Sequence, residues 1–459
     1  MEDNGNIYFR HFRGSWYYRA FKVFINFLFN HFLYRKVHYI GTENILEDGK
    51  PMVIVSNHQN CLVDAIAVML SYKGLSRRPF FWARADIFKV NSLLTKYIRS
   101  LGVMPAFRME YEGLGDVEKN RESFRESEYL LDNGQSVMLF PEAGHQDKRY
   151  LGHFTAGYTT MAFQAAEKSG FEKEIFILPV ANHYSDYFGM RREMCIMFSS
   201  PISLKKYYGL YREKPRTAMR EVNKAVREAI SSNMLDIQDL ENYPVIDFLR
   251  VNYGKTYAFI RRKAYEKLPE KLSAEKEFVA ALGALEDGTR ESVYGQTEEL
   301  RKGLEETGLQ FKSLSKKVSW SSTILKIAGL VILFPVWIFS LWPNFLLYHI
   351  PKRLTKRTGD KMLSSSFLLA VNAVIAIPFF AVVSFVLVWW LLTVYMAVLY
   401  LLLMPPLALF CWYYTEWWAS VREDLRLLGF YKKSKIAILH SLRQESEKLE
   451  DRLWSLFKI

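Results

Sequence analysis

An α/β domain with a mostly parallel, helix-covered sheet, followed by a helical connector and C-terminal membrane helices, is the architecture this sequence predicts. Three observations carry it. Between residues 50 and 200, short and often β-branched apolar runs alternate with helical patterns. From Leu204 to Val318 the chain is charged and helical in pattern, as in Thr217–Ala229 and Glu298–Leu314, with little strand signal. From Met362 to Thr415 no Asp, Glu, Lys or Arg occurs.

The first region supplies the strands. Met52–Val55, Phe80–Ala83, Ser136–Phe140, Ile175–Val180 and Met194–Phe198 read as strands, and 63–72, 116–133 and 155–168 as helices between them. Such alternation implies parallel strands joined by crossover helices. The expected division is 1–40 as interfacial basic and aromatic helices, 41–205 as the α/β domain and 206–320 as the helical connector. Residues 321–419 follow as membrane segments and 420–459 as a cytoplasmic helical tail.

The uncharged stretch is long enough for two spans of about 20 residues each, near 367–387 and 391–412. Trp389 and Trp390 mark an expected interfacial turn between them, and Trp412, Tyr413, Tyr414, Trp417 and Trp418 an aromatic belt. A third apolar run, 327–351, holds Pro335 and Pro343, and either spans once or re-enters as a proline-bent hairpin. Lys352, Arg353, Lys356, Arg357 and Lys361 follow it, and Lys432, Lys433 and Lys435 follow the later pair. Basic short loops stay cytoplasmic, so the chain reads as a multi-pass membrane protein with its α/β domain facing the cytoplasm.

Charge points the same way. Against 61 Lys+Arg stand 48 Asp+Glu, a net +13, which suits an anionic membrane surface or a phosphorylated substrate. A nucleic-acid partner is not expected, because the basic residues form no single cluster with a recognition motif. Half the residues are hydrophobic, which excludes a disordered chain. Cys61, Cys195 and Cys411 are too few and too scattered for a disulfide framework or a CxxC metal site, and no metal is expected. Asn4 to Thr42 contains no acid between its ends but has Arg10, Arg13, Arg19, Lys22, Arg35 and Lys36 among Trp16, Tyr17, Phe21, Phe24 and Phe27. That pattern predicts an interfacial helix on anionic lipid, or an amphipathic helix packed on its own domain. No small-residue cleavage site follows its apolar part, so a signal peptide is not expected.

Three places could carry chemistry. After the apolar strand at 52–55 come Asn57 and His58, then Asp64 in the first turn of a helix, where the dipole favours a carboxylate. A carboxylate on one imidazole nitrogen leaves the other to take a proton from a hydroxyl. Taken alone, the pair also fits a purely structural role. Leu139-Phe140-Pro141-Glu142-Ala143-Gly144-His145 ends another strand and holds Glu142 at the sheet's C-terminal edge, the side where α/β proteins bind ligands. Gly102-Val-Met-Pro105-Ala-Phe-Arg108 places a guanidinium suited to a phosphate just past a third strand. Cys61, between His58 and Asp64, reads as an apolar filler rather than a nucleophile. His145, Asp147, Lys148 and Arg149 read as a solvent-facing loop.

In order and context, these motifs and Ile177-Leu178-Pro179-Val180 resemble those of the PlsC-like glycerolipid acyltransferase family. The helical connector and apolar C-terminus further resemble its yeast-type glycerol-3-phosphate/dihydroxyacetone-phosphate branch and bacterial relatives. The resemblance implies an O-acyltransferase of phospholipid synthesis, using acyl-CoA or acyl carrier protein as donor, with no cofactor and with membrane lipid as a partner. It implies glycerol 3-phosphate or dihydroxyacetone phosphate as acceptor, with lysophosphatidate as the alternative and a non-catalytic lipid-binding scaffold as a further one. It makes His58 the general base, Asp64 its orienter, Arg108 the phosphate ligand and Glu142 the residue that positions the glycerol part, with Gly144 shaping the turn. Two departures stand out. Five residues separate His58 from Asp64 where the commoner family pattern has four, and Ala143 displaces the glycine after Glu142 by one position.

Overall fold

The structure, a computed structural model, describes residues 16–458 apart from 48, 73–77, 90, 108–119, 143, 145–146, 374–376 and 433–434. It divides into two compact units, residues 1–236 with 358–369, and residues 237–357 with 370–459.

The first unit is built on one eight-stranded sheet in the order β1-β7-β6-β2-β5-β3-β4, with β8 paired to β6. Its strands are β1 (Tyr34–Ile40), β2 (Met52–Ser56), β3 (Pro79–Arg84), β4 (Val103–Ala106), β5 (Ser136–Leu139), β6 (Phe176–Tyr184), β7 (Arg192–Phe198) and β8 (Ile202–Ser203). The run from β6 through β2, β5 and β3 to β4 is parallel, while β7 and β8 pair antiparallel with β6. Its helices are α1 (Trp16–Leu28), α2 (Leu62–Ser71), α3 (Ser92–Ser100), α4 (Asn120–Asp132), α5 (Gly157–Lys168), α6 (Tyr208–Glu213) and α7 (Pro215–Ser232).

Val53, Val55, Val137, Leu139 and Ile177 join one core cluster with Leu130 of α4, Met161 of α5 and Val222 of α7. The alternate residues Met52, Ile54, Met138 and Leu178 are equally buried. Side chains alternate across a strand, so both faces of the sheet are covered. Continuous apolar runs are the signature of such strands, which is why β2, β3, β5, β6 and β7 are readable in the sequence.

Three strands are not, one of them the two-residue β8. Residues 34–40, expected within the interfacial helices, form β1, parallel to β7 at the sheet edge. Tyr34, Val37, Tyr39 and Ile40 favour a strand, and Arg35 and Lys36 are exposed, as suits an edge. β4 is short and carries Pro105, which a strand at the opposite edge tolerates. Gly102 leads into it with φ +89°, and a Cβ there would lie 3.0 Å from the Phe80 ring, so both backbone and space call for glycine.

Helix α1 packs part of its apolar surface on its own domain, as one of its two readings expects. Tyr18, Ile25 and Leu28 are buried. Trp16 (81 % exposed), Val23 and Phe27 form a second, outward apolar stripe.

The second unit is helical: α8 (Tyr243–Ile260), α9 (Leu268–Gly283), α10 (Asp287–Thr307), most of α11 (Trp320–Thr358), α13 (Ile377–Leu391), α14 (Val394–Phe430) and α15 (Ile436–Phe457). Helix α12 (Leu363–Val371) lies for the most part in the first unit. Trp320–Leu341 and Val394–Phe430 are long and apolar enough to cross a membrane, with mean hydropathies of 2.3 and 2.1. Leu325, Ile332 and Leu402 are among their strongly exposed apolar side chains, which suits a lipid-facing surface.

Of the two alternatives for 327–351, the proline-bent hairpin does not form, since α11 runs unbroken through Pro335 and Pro343. The apolar region departs from expectation elsewhere. The expected span 367–387 is not one helix: α12 ends at Val371 and α13 begins at Ile377. Lack of charge suits a helix packed in protein as well as one in lipid, and α12 is of the first kind. Helix α13, with 15 residues, is shorter than a full span, while α14 covers most of the expected 391–412. Exposed Trp389 and Trp390 lie beside the turn between them, and Thr393 accepts from the Met396 amide to start α14. Gly329 permits close approach within this unit, because a Cβ there would lie 2.6 Å from the Trp417 ring.

Candidate active site

β2 and β5 run side by side with Val55 opposite Leu139, so the turns that follow them emerge together at the sheet's C-terminal edge. His58 leaves the first turn. Its Nδ1 lies 3.1 Å from Oδ2 of Asp64. The same oxygen accepts from the backbone amides of Gln59 at 2.9 Å and Asn60 at 2.8 Å, and Oδ1 accepts from the Tyr184 hydroxyl. Asp64 is 0 % exposed. With backbone donors already fixing Oδ2 as an acceptor, Nδ1 carries the imidazole proton and Nε2 the lone pair. The imidazole side chain is 14 % exposed and stacks on Phe140, ring centroids 4.0 Å apart and planes 20° apart.

Tyr184 keeps its donor role at any ordinary pH. Burial drives its phenol well above the usual range, and the Asp64 charge adds to the rise. Tyr34, whose ring lies 6.2 Å from that of Tyr184, is raised by the same two causes. Cys61 is likewise a thiol rather than a thiolate, pushed far up by burial first, then by Asp64 and Asp360, against Arg84. This agrees with a filler.

Glu142 has backbone partners. Its Oε1 accepts from the His58 amide at 2.7 Å, and its Oε2 from the Gly152 amide at 2.8 Å. Its carboxylate therefore ties the turn after β5 to the turn that carries the imidazole. Gly144 is not required by its backbone: its φ is outside the left-handed region, and among the described residues a Cβ there would meet nothing within 4 Å. Arg108 lies outside the described residues. The strand that precedes it, β4, is three places from β2 across the sheet. Arg149, expected in solvent, is buried. Its guanidinium donates to the Tyr184 carbonyl at 2.8 Å and the Ser185 carbonyl at 3.3 Å, and lies 4.8 Å from the centre of the Tyr187 ring.

Asn57, Asn182, Phe140 and Tyr184 were not foreseen. The Asn57 side chain accepts from the Asn182 amide at 2.7 Å and donates to its carbonyl at 3.0 Å. It thereby acts as a peptide and extends the β2–β6 ladder beyond the point where β2 turns away. Asn182 Nδ2 donates to Ser56 Oγ at 3.0 Å and closes the clamp. A signal was present: Asn182 and Tyr184 continue the same face of β6 as Val180, and an Asn buried in an apolar strand needs a partner.

Fold and site together define an α/β domain that holds a hydrogen-bonded His–Asp pair at the C-terminal edge of a parallel sheet. A family model described as Acyltransferase matches residues 36–183. The 1-acyl-sn-glycerol-3-phosphate acyltransferase LPAT1 of Arabidopsis thaliana, a chloroplast protein, is 31 % identical over 135 residues, 29 % of this chain and 33 % of its own. The chain thus spans about a third of the curated relative it matches. The solved 1-acyl-sn-glycerophosphate acyltransferase PlsC of Thermotoga maritima aligns over 46 % of this chain and 78 % of its own, with 22 % identity and a TM-score of 0.31. Residues 36–183 thus match an acyltransferase domain.

Proposed function

We propose that the protein transfers a fatty acyl group from a thioester, acyl-CoA or acyl carrier protein, to a hydroxyl of a glycerol phosphate acceptor at a membrane surface. The observation that carries this reading is the His58–Asp64 contact of 3.1 Å, whose tautomer is set by the backbone donors on Asp64. His58 Nε2 takes the acceptor's hydroxyl proton as the oxygen attacks the thioester carbonyl. The new C–O bond forms, the C–S bond breaks, and the leaving thiolate takes the proton back from the imidazolium. Asp64 stabilises that imidazolium without being protonated itself. Neither a metal nor an acyl-enzyme is needed in this sequence of steps.

Glu142 fixes the His58 peptide, and Arg108 is assigned the acceptor's phosphate on its motif. Glycerol 3-phosphate or dihydroxyacetone phosphate is the acceptor we favour, because the five-residue His–Asp spacing resembles the yeast-type branch. The alternative acceptor, lysophosphatidate, is supported by the name of the 31 % identical relative. The domain faces the cytoplasm in this reading, with the apolar helices of the second unit crossing the bilayer more than once.

The test is incubation of purified protein with labelled acyl-CoA and acyl carrier protein against the three acceptors, followed by chromatography of the lipids. Lysophosphatidate as product identifies glycerol 3-phosphate as acceptor, acyl-dihydroxyacetone phosphate identifies the ketone, and phosphatidate made only from lysophosphatidate establishes the alternative. No labelled lipid from any acceptor rejects the reading.

A further inference from the structure

The turn between His58 and Asp64 is tied on a second side by a residue far along the chain. The first N–H groups of a helix lack intrahelical acceptors and need a cap. At the cap position of α2 stands Cys61, with φ 46° and ψ −122°, whose side chain makes no capping hydrogen bond. Ser366, on α12 and in the same compact unit, meets that need: its Oγ accepts from the Leu62 amide at 3.0 Å and lies 3.4 Å from the Asn60 carbonyl, to which it donates. One hydroxyl thus bridges the two peptide groups that flank Cys61. Beside it, Ser365 Oγ donates to the Tyr187 carbonyl at 3.2 Å, an oxygen that also accepts from Asn60 Nδ2 at 3.3 Å. Both serines are buried, at 4 % and 6 % exposed, on a helix that is apolar apart from them and the neighbouring Ser364.

The left-handed residue is where a longer turn must be accommodated. Asp64 draws in the amides of Gln59 and Asn60 from one side, and the chain still has to reach the start of α2. A residue with a Cβ holds φ > 0 only where its surroundings over-determine it. We propose that Ser366 is a positioning residue for acyl transfer. By bridging Asn60 and Leu62 across Cys61, it holds the five-residue turn in the shape that keeps His58 Nδ1 on Asp64. The proposal rests on the reading of His58 as the base. It also gives α12 a reason to lie in the acyltransferase unit although its sequence neighbours are apolar helices of the other.

The test uses the full chain in detergent or vesicles, with Ser366→Ala, Ser366→Thr and, as control, Ser364→Ala. Hydrogen exchange is followed on peptides covering residues 57–66, and kcat and KM are measured for donor and acceptor. Ser366→Ala is expected to speed exchange at this turn about tenfold and lower kcat about tenfold, with both KM values within about twofold. Ser366→Thr, which keeps the hydroxyl, restores both, and Ser364→Ala matches the wild type. Unchanged exchange in Ser366→Ala overturns the clamp whatever the activity. Faster exchange with unchanged kcat overturns the positioning role alone. A wild-type chain that transfers no acyl group overturns the acyltransferase reading and the catalytic role of Ser366 with it, while the exchange result still decides whether the clamp exists.

Discussion

Two carboxylates, one in each unit, are both 0 % exposed and yet are neutralised in opposite ways. Asp424, in the helical unit, meets two permanent cations: Oδ1 accepts from Lys316, and Oδ2 from Lys326 at 2.6 Å. Asp64, in the acyltransferase unit, meets backbone amides, a phenol and one imidazole. Among the described residues, His58 is its one ion-pair partner. Burying an acid against lysines spends its charge on holding helices together. Burying it among neutral donors leaves the charge available for the imidazolium that the proposed reaction forms at His58. Burial alone therefore does not mark a catalytic acid; the chemistry of its partners does.

The sharpest way to break this contrast is to remove each charge while keeping shape. In Asp64→Asn, the amide oxygen still accepts from the Gln59 and Asn60 amides and His58 Nδ1, while the amide NH₂ donates to Tyr184. The imidazolium loses its counter-charge, and kcat should fall on the order of 10³-fold with KM little changed. Steady-state kinetics on the folded variant decides it, and a loss below tenfold would make Asp64 a structural acid like Asp424.

A smaller effect is expected from Tyr184→Phe. Without the phenol, Oδ1 of Asp64 loses its hydrogen-bond donor and the carboxylate is held less firmly against His58, so kcat should fall about tenfold with KM little changed. Steady-state kinetics that match the wild type would remove Tyr184 from the site.

Asp424→Asn completes the comparison with the smallest effect on chemistry. It leaves two lysine side chains, each about a third exposed, without their acid. Partial hydration limits the loss to about 1–3 kcal/mol of stability, read as a lower melting temperature, with turnover per folded molecule unchanged.

Much of the site was legible because its residues follow strands that announce themselves. His58 and Glu142 come directly after buried apolar runs, and parallel pairing of those runs brings the two turns together. What stayed hidden depends on partners distant in sequence. Tyr184 matters only because β6 extends past Val180, and Asn57 only because β6 lies beside β2. Ser366 was hidden for a different reason: an uncharged stretch reads as membrane throughout, and nothing local separates α12 from the helices after it. Glu142 lies at the sheet edge as expected, but its backbone partners, the amides of His58 and Gly152, come from other turns and could not be read locally. The strand at 34–40 was masked by the aromatic and basic residues that made its neighbour α1 look interfacial.

The most direct test of the central claim is the acyl-transfer rate of His58→Ala, measured with a labelled thioester donor and the acceptor that the wild type uses. The account predicts a rate at background in a variant that still inserts into membranes and melts as the wild type does. Turnover near that of the wild type would contradict it, because no other side chain on the His58–Asp64 turn is placed to take the proton.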